Sequence, residues 1–538
     1  MRISWFVTVA CLVRIVECFV PAPIPSYTTP IALYAAPANS EKCDVAIFGG
    51  GFGGLYSALA IAREARQSGQ NLDVALVEPT ETFVFLPLLY DLTVGTASEG
   101  EVCPTLKDIL EGTGVRHIRA SLDSFASPDC SEANLVPATD DEILGTSSIS
   151  FRAAVVAVGA SPESILKSVP GAQEFSQPFY TAKDAFKTRR LLQSLESQIR
   201  AGKAPRVAIV GGGYAGVELA ASVKRKIPKA GVTLLARGAP MAGTRVEKLV
   251  DKALQRLGVE VEIGSVEAIT AVEKDSPDPK LDVKRSTSEE ETQDQRPFDA
   301  VLWTAGSAPA YPVSKEMKGL SKSGSGRLAI DASLRCKWEQ SGEETNRDEK
   351  PQIWALGDCA EIISLSDGQP AVPRTAQAAM QQAETVAYNV LVELDAEGKT
   401  ERSFQFLDLG SMVTLGGPNA ALMAPREGSL APIFEPLLTT FGGVLDLADS
   451  ILSKSPVAEK IGLTSAVEAL GLSLGGYGLG VDAGAAPGTL AGTLTGATRR
   501  ALYAVRMPTN KQRAVSATSA AIYGAAALAK EASDRNKQ

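Results

Sequence analysis

Histidine is almost missing. A single one, His117, stands in 538 residues, which leaves no ligand set for zinc and no base for a Ser–His–Asp triad. The seven cysteines, at positions 11, 18, 43, 103, 130, 336 and 359, show no C-x-x-C and no metal-ligand spacing, so no metal site is expected. An odd number without pattern also speaks against a disulfide-rich secreted fold. No uninterrupted apolar run reaches the length of a bilayer span. Positive charge is in deficit, with a net charge of −9, which argues against nucleic acid as a partner. His117 is read as a surface residue entering a strand.

Glycine, by contrast, is placed with order. Val45–Phe48 reads as a buried strand. Gly49, Gly51 and Gly54 follow in G-x-G-x-x-G spacing, with Gly53 between, and Leu55–Arg66 reads as a helix without Gly or Pro. One glycine allows the tight turn, one lets backbone approach a pyrophosphate, and one lets helix and strand pack closely. The phosphate charge then meets the N–H groups of a helix start. A second strand, Asp73–Val77, ends in Glu78, placed to take two ribose hydroxyls.

The unit repeats downstream. Arg206–Val210 leads into Gly211, Gly213 and Gly216, followed by Val217 and Glu218. Its partner strand, Val232–Leu235, ends in Ala236 and Arg237. A carboxylate there would bind a ribose 2′-hydroxyl and repel a 2′-phosphate, whereas an arginine can pair with that phosphate. NADPH is therefore favoured over NADH; the alternative makes Arg237 a plain surface charge.

Between and after the loops lie strands ending in glycine: 154–158 before Gly159, and 300–303 before Gly306. Residues 115–151 alternate strands and polar turns, as a β-meander does. The run 83–90, Phe-Val-Phe-Leu-Pro-Leu-Leu-Tyr, is either an aromatic cover for a flat cofactor or a buried loop. Residues 272–298 read as a hairpin with a solvated tip, and 337–351 as a polar insertion. Ile353–Leu356 is a strand followed by Gly357 and Asp358. Gly-Asp alone is a turn; after two glycine loops, Asp358 becomes a candidate ligand for a ribityl hydroxyl. A helix follows over 375–393, on which Gln377 and Gln381 share a face. They either meet a quinone carbonyl or lie in solvent. Residues 404–416 read as a pair of strands. Residues 494–505 read as a helix carrying Arg499, Arg500 and Arg506, suited either to a membrane surface or to a solvated face on a helix packed against its own protein.

The N-terminus differs from the rest. Arg2 precedes an apolar run, 3–13, that is too short for a span and fits a signal-peptide core. From Phe19 to Ser40 no residue is charged. This resembles the bipartite presequence of algae with secondary plastids; a plain secretory signal with a linker is the other reading.

The whole order is a glycine loop, an acid, a second loop with Gly-Val217-Glu218, Thr-Ala-Gly306, Gly-Asp358, then Ala376-Gln377-Ala-Ala-Met-Gln381-Gln382. It resembles the type II NAD(P)H:quinone dehydrogenases over about residues 44–425. Arg499 to Arg513 resembles that family's plastid branch, the demethylphylloquinone reductases. The resemblance implies an α/β chain with two Rossmann-like dinucleotide-binding domains and a C-terminal membrane-associating region. The implied division is presequence and linker 1–40, FAD domain 41–171 and 306–400, NAD(P)H domain 172–305, and membrane-associating part 401–538.

FAD then falls to Gly49, Gly51, Gly53, Gly54, Glu78, Gly159, Asp358 and Ala376. NAD(P)H falls to Gly211, Gly213, Gly216, Arg237 and Gly306. Gln377 and Gln381 are the implied quinone ligands, and Glu218 and Gln381 the implied catalytic pair. The implied activity is hydride transfer from NAD(P)H to FAD and two-electron transfer to a membrane quinone, without proton pumping. The implied setting is a plastid membrane, and a homodimer is admitted. Rival readings are a flavin disulfide reductase, a ferredoxin-type reductase and an apoptosis-inducing-factor-like flavoprotein. The first needs a redox cysteine pair, and Cys103 stands alone.

Overall fold

A computed structural model describes residues 39–126, 130–138, 146–272, 280–286, 297–313, 317, 319–339, 352–363, 371–395, 400–416, 420–423 and 489–492. Near the C-terminus it describes 499–500, 503–504, 506–509 and 512–518. The presequence, the tip of the 272–298 hairpin, most of the 337–351 insertion and nearly all of 430–490 lie outside these.

Two five-stranded parallel sheets carry the fold. The first has the order Gln352–Ala355, Ala153–Val156, Val45–Phe48, Val74–Val77, Val115–Ile118. Its central strands are buried at every position, because helices Phe52–Gln67 and Ala376–Leu394 pack on them and the rings of Phe125 and Phe151 pack on Phe48. This explains why they read as continuous apolar runs. Helix Phe52–Gln67 buries Leu55, Ala58 and Ile61 and packs against helix Ala376–Leu394. Many of the facing residues are small, so the two backbones lie close.

The second sheet repeats the plan: Gln177–Pro178, Ala300–Trp303, Arg206–Val210, Gly231–Ala236, Val259–Ile263. Its entry helix, Ala182–Arg200, starts in a capping box in which Thr181 and Asp184 each bind the other's backbone.

In each sheet the chain reverses its direction of winding beside the glycine strand. The reversal opens a crevice at the carboxyl ends of the strands, where such sheets bind ligands.

The meander is a separate sheet. Ala120–Phe125, Glu132–Pro137 and Thr146–Ser150 run antiparallel, and Asn39–Lys42 adds a parallel edge. Asn39 and Ser40 therefore belong to a strand, and the expected linker stops short of them. Val115–Ile118, read into the meander, joins the first sheet instead.

The pair of strands expected in 404–416 is half right. Only Ser411–Thr414 is a strand, and it pairs with Ala420–Met423. Before it, Leu407 gives its N–H to Gln381 and its carbonyl to Gln377 and Gln381. Side chains have taken the groups that a neighbouring strand would need. Gly410, at φ +81, then turns the chain.

Candidate active site

The two glycine loops have the same geometry. A Cβ on Gly54 would stand 1.8 Å from the carbonyl oxygen of Gly49, and one on Gly216 would stand 1.7 Å from that of Gly211. The first turn of each helix thus rests on the carbonyl of the glycine that follows its strand, and only glycine fits. At Gly51 and Gly213 the reverse holds, with no atom within 4 Å of an added Cβ. Each is the N-cap of its helix, without a side-chain cap and with no acid in the first turn. Open space beside uncapped N–H groups fits a pyrophosphate in both places.

The first loop opens on a cleft of about 510 Å³. Gly49, Gly51, Gly53, Glu78, Gly159, Asp358 and Ala376 line it, so the structure brings these expected residues together. Gly54 lies beneath, as the packing glycine. Glu78 accepts from the N–H of Gly50 at 2.6 Å, and from Thr80. Its carboxylate is therefore held at the cleft edge. Asp358 is drawn up by burial and pulled back by Arg374 and Arg327, with a net rise. A carboxyl so placed can accept from a ribityl hydroxyl at little cost. Gly357, at φ +71, gives its N–H to Gln382 at 2.9 Å. Ala376 opens its helix behind Thr375, whose hydroxyl accepts from the N–H of Ala378.

In the second loop, Gly211 at φ +124 lies against Thr304, and Gly306 at φ +71 follows the neighbouring strand. Arg237 is exposed at the end of Gly231–Ala236. Gly212 stands against the Ala236 side chain as Gly50 stands against Glu78, so Ala236 holds in the second loop the place that the acid holds in the first.

The two sites meet at Glu218. Its helix, Tyr214–Lys226, begins at the second loop, yet Glu218 lines the first cleft with Tyr214 and Ala215. It is 7 % exposed. Oε1 accepts from the N–H of Thr414 at 2.8 Å, and the Tyr90 hydroxyl donates to the carboxyl. Burial pushes Glu218 up to about 7; Arg499 and the Thr414 N–H draw it down, and Asp91 draws it up again. A carboxyl near neutrality can hold or release a proton.

The aromatic loop answers to both readings. Phe83 and Phe85 are buried and pack on Phe52, while Leu86, Pro87, Leu89 and Tyr90 line the cleft.

Three placements correct the sequence reading. Gln377 and Gln381 do not line this cleft; both amides end on Leu407. The amides expected to meet a quinone, and the catalytic part expected of Gln381, are thus joined in this structure to the Leu407 backbone. Arg499 and Arg500 do not lie on a surface. They are 2 % and 1 % exposed and share Asp91, at 2.7 and 2.8 Å. A basic stretch reads the same whether water or a buried carboxylate compensates it. The third concerns residues missed as site members: Tyr90, Asp91, Arg499 and Tyr503. An acid at 91 among apolar neighbours was the one signal in the sequence.

His117 sits in its strand with Nε2 2.9 Å from the Glu78 carbonyl. The five described cysteines are buried, and burial pushes Cys103 up to about 11. No disulfide is formed among the described residues. None of the described helices is long and apolar enough to cross a membrane.

Fold and site together define a flavoprotein with two dinucleotide cradles. Residues 43–383 match the pyridine nucleotide-disulphide oxidoreductase family. The chain is 32% identical to the alternative NAD(P)H-ubiquinone oxidoreductase C1, chloroplastic/mitochondrial, of Arabidopsis thaliana, covering 72% of this chain and 74% of that one. It is 32% identical to the demethylphylloquinone reductase NdbB of Synechocystis, covering 70% and 86%. Among solved structures, NDH2 of Plasmodium falciparum in complex with NADH shares the fold, with a TM-score of 0.57 at 17% identity over 74% of this chain and 94% of that one. The chain belongs to the pyridine nucleotide-disulphide oxidoreductase family and, within it, to the type II NAD(P)H:quinone oxidoreductases. FAD and a nicotinamide nucleotide are its cofactors, and both cradles fit them.

Proposed function

We propose that the chain oxidises NADPH and reduces a membrane quinone of the plastoquinone or demethylphylloquinone type, at a plastid membrane. The observation that carries this is the position of Glu218, which starts from the nicotinamide loop and ends in the flavin cleft. A quinone needs two electrons and two protons. NADPH yields two electrons and one proton as hydride; the second proton comes from solvent. FAD, when bound, supplies the two-electron store between donor and acceptor.

The chain's own residues do the rest. The loop Gly49–Gly54, Glu78, Gly159, Asp358 and Ala376 hold the flavin nucleotide, and Gly211, Gly213, Gly216 and Gly306 hold the nicotinamide one. Arg237 takes the 2′-phosphate. Support for NADPH comes from that exposed arginine and from the small Ala236 where an acid would stand. Glu218 passes the solvent proton towards the acceptor, with Tyr90 orienting its carboxyl. Gln377 and Gln381 frame the entrance by fixing Leu407. Leu407 and Leu409 are 42 % and 39 % exposed, and such leucines beside the site favour a lipid face. Domain limits at 41–171 with 306–400, and 172–305, follow the two sheets. Support for a plastid comes from the Arabidopsis and Synechocystis relatives.

The test is steady-state turnover of the purified FAD-loaded chain with NADPH and NADH against plastoquinone and naphthoquinone analogues. Rapid NADPH-dependent quinone reduction is expected. Bound FAD without such turnover would sink the reading.

A further inference from the structure

Four charged groups meet behind the cleft. Asp91, on helix Leu89–Val94, accepts from Arg499 Nη2 at 2.7 Å and from Arg500 Nη2 at 2.8 Å, and all three are buried. One carboxylate thus takes a guanidinium from each of two arginines away from water, where a charge needs a partner. The fourth group is Glu218, on which Arg499 and Asp91 act in opposite directions.

Glu218 is faced from three elements. Helix Leu89–Val94 presents Tyr90 and Asp91, strand Ser411–Thr414 presents the Thr414 N–H, and the C-terminal segment presents Arg499 and Tyr503. Arg499 reaches several of these parts. It binds Asp91, donates to the Pro87 carbonyl at 3.1 Å, and lies 5.3 Å from the centre of the Tyr503 ring. Tyr503 in turn packs edge-on against Phe85. Pro87, Tyr90, Glu218 and Tyr503 all line the cleft.

Resting on the quinone reading above, we propose that Arg499 is a positioning residue of the acceptor site. Anchored on Asp91 and Pro87, it keeps a fixed positive charge behind Glu218 and holds Tyr90 and Tyr503 at the cleft face. The active site is thus completed by the C-terminal segment, more than 400 residues from the loop it braces.

The physical reason lies in two opposed effects. Burial favours the protonated carboxyl and Arg499 favours the ionised one. Their balance lets one buried group hold a proton in one half of the cycle and be without it in the other. Arg500 is the internal control. It is equally buried and bound to the same Asp91, but Arg499 and Asp91 are the charges that act most strongly on Glu218.

The experiment titrates the protonated-carboxyl infrared band of the full-length FAD-loaded enzyme, assigned by its loss in Glu218→Gln. Quinone kcat/KM is followed over the same pH range. Arg499→Gln is expected to raise the midpoint by about one pH unit or more, with the pH profile of quinone reduction shifted in step. Arg499→Lys and Arg500→Gln are expected to leave the midpoint in place. Should Arg499→Gln fail to fold, Arg499→Met takes its place, keeping the bulk of the side chain while Arg500 still covers Asp91. It removes the same positive charge and must raise the midpoint in the same direction. An unmoved midpoint in either variant, or an equal shift in Arg500→Gln, overturns the proposal. Loss of the quinone assignment would show separately, as an unmodified enzyme that titrates normally but turns over no quinone.

Discussion

Gln381 holds Leu407 by both backbone groups. Its Oε1 accepts from the Leu407 N–H at 2.9 Å, and its Nε2 donates to the Leu407 carbonyl at 2.8 Å. A side-chain amide has both a donor and an acceptor, so it can stand in for a strand partner. Replacing Gln381 with Leu removes both bonds and frees the segment carrying Leu407 and Leu409. The expected result is a several-fold rise in quinone KM with ferricyanide reduction little changed. An equal loss with both acceptors would count against a role at the quinone entrance.

The glycine contacts separate the two cofactors. Gly54→Ala drives a methyl into the Gly49 carbonyl, and Gly216→Ala drives one into that of Gly211. The first change should yield protein without the flavin absorbance. The second should keep the flavin and lose NADPH binding, read by calorimetry. Gly51→Ala meets no protein atom, so the fold should survive with weaker FAD. Loss of flavin in Gly216→Ala would break the assignment of the loops.

Arg237→Glu should reverse the nucleotide preference. A pair between guanidinium and phosphate is worth about 1.5 kcal/mol or more, which is about tenfold in binding. The ratio of NADPH to NADH kcat/KM should fall by at least about that factor. An unchanged ratio would remove the argument for NADPH.

Asp91 tests the buried cluster. Asp91→Ala leaves two guanidiniums without their shared carboxylate, and breaking a buried pair in this way costs about 3–5 kcal/mol. A marked fall in Tm is expected, with Arg499→Gln milder because Arg500 still covers Asp91. Burial pushes Asp91 up, but Arg499 and Arg500 bring it below its ordinary value. Its contribution is therefore present above the unfolded pKa of about 3.9 and is lost as pH falls further.

Glu218 gives the opposite slope. Its folded pKa is raised from 4.5 to about 7, so the folded state binds the proton more tightly than the unfolded one. The stability it contributes is full below pH 4.5 and is lost as pH rises to about 7. The loss is roughly 3 kcal/mol. Thermal melts across that window should show the decline, and Glu218→Gln should flatten it. The same slope in both proteins would mean that another group titrates.

What could be read from the chain depended on the distance between partners. The two glycine loops were legible because each closes on itself: Gly54 touches Gly49, and Gly216 touches Gly211, within one turn of helix. Strands covered on both faces announced themselves as unbroken apolar runs. The cleft residues Glu78, Gly159 and Asp358 followed from their order along the sheet. His117 also kept the plain place expected of it.

Sequence alone specified two nucleotide cradles, their order, and an arginine at the end of the second cradle's partner strand. Tertiary structure decided what flanks the reacting face. Asp91 meets Arg499 across 408 positions, and Glu218 meets the Thr414 N–H across 196. Local spacing carries no information about such pairs. An arginine in a basic helix looks alike in solvent, on lipid or over a buried carboxylate, and a glutamine looks alike beside a quinone or a backbone. Only packing decides which surfaces lose their water. Once they do, each buried charge or amide must take whatever partner the fold has brought within reach.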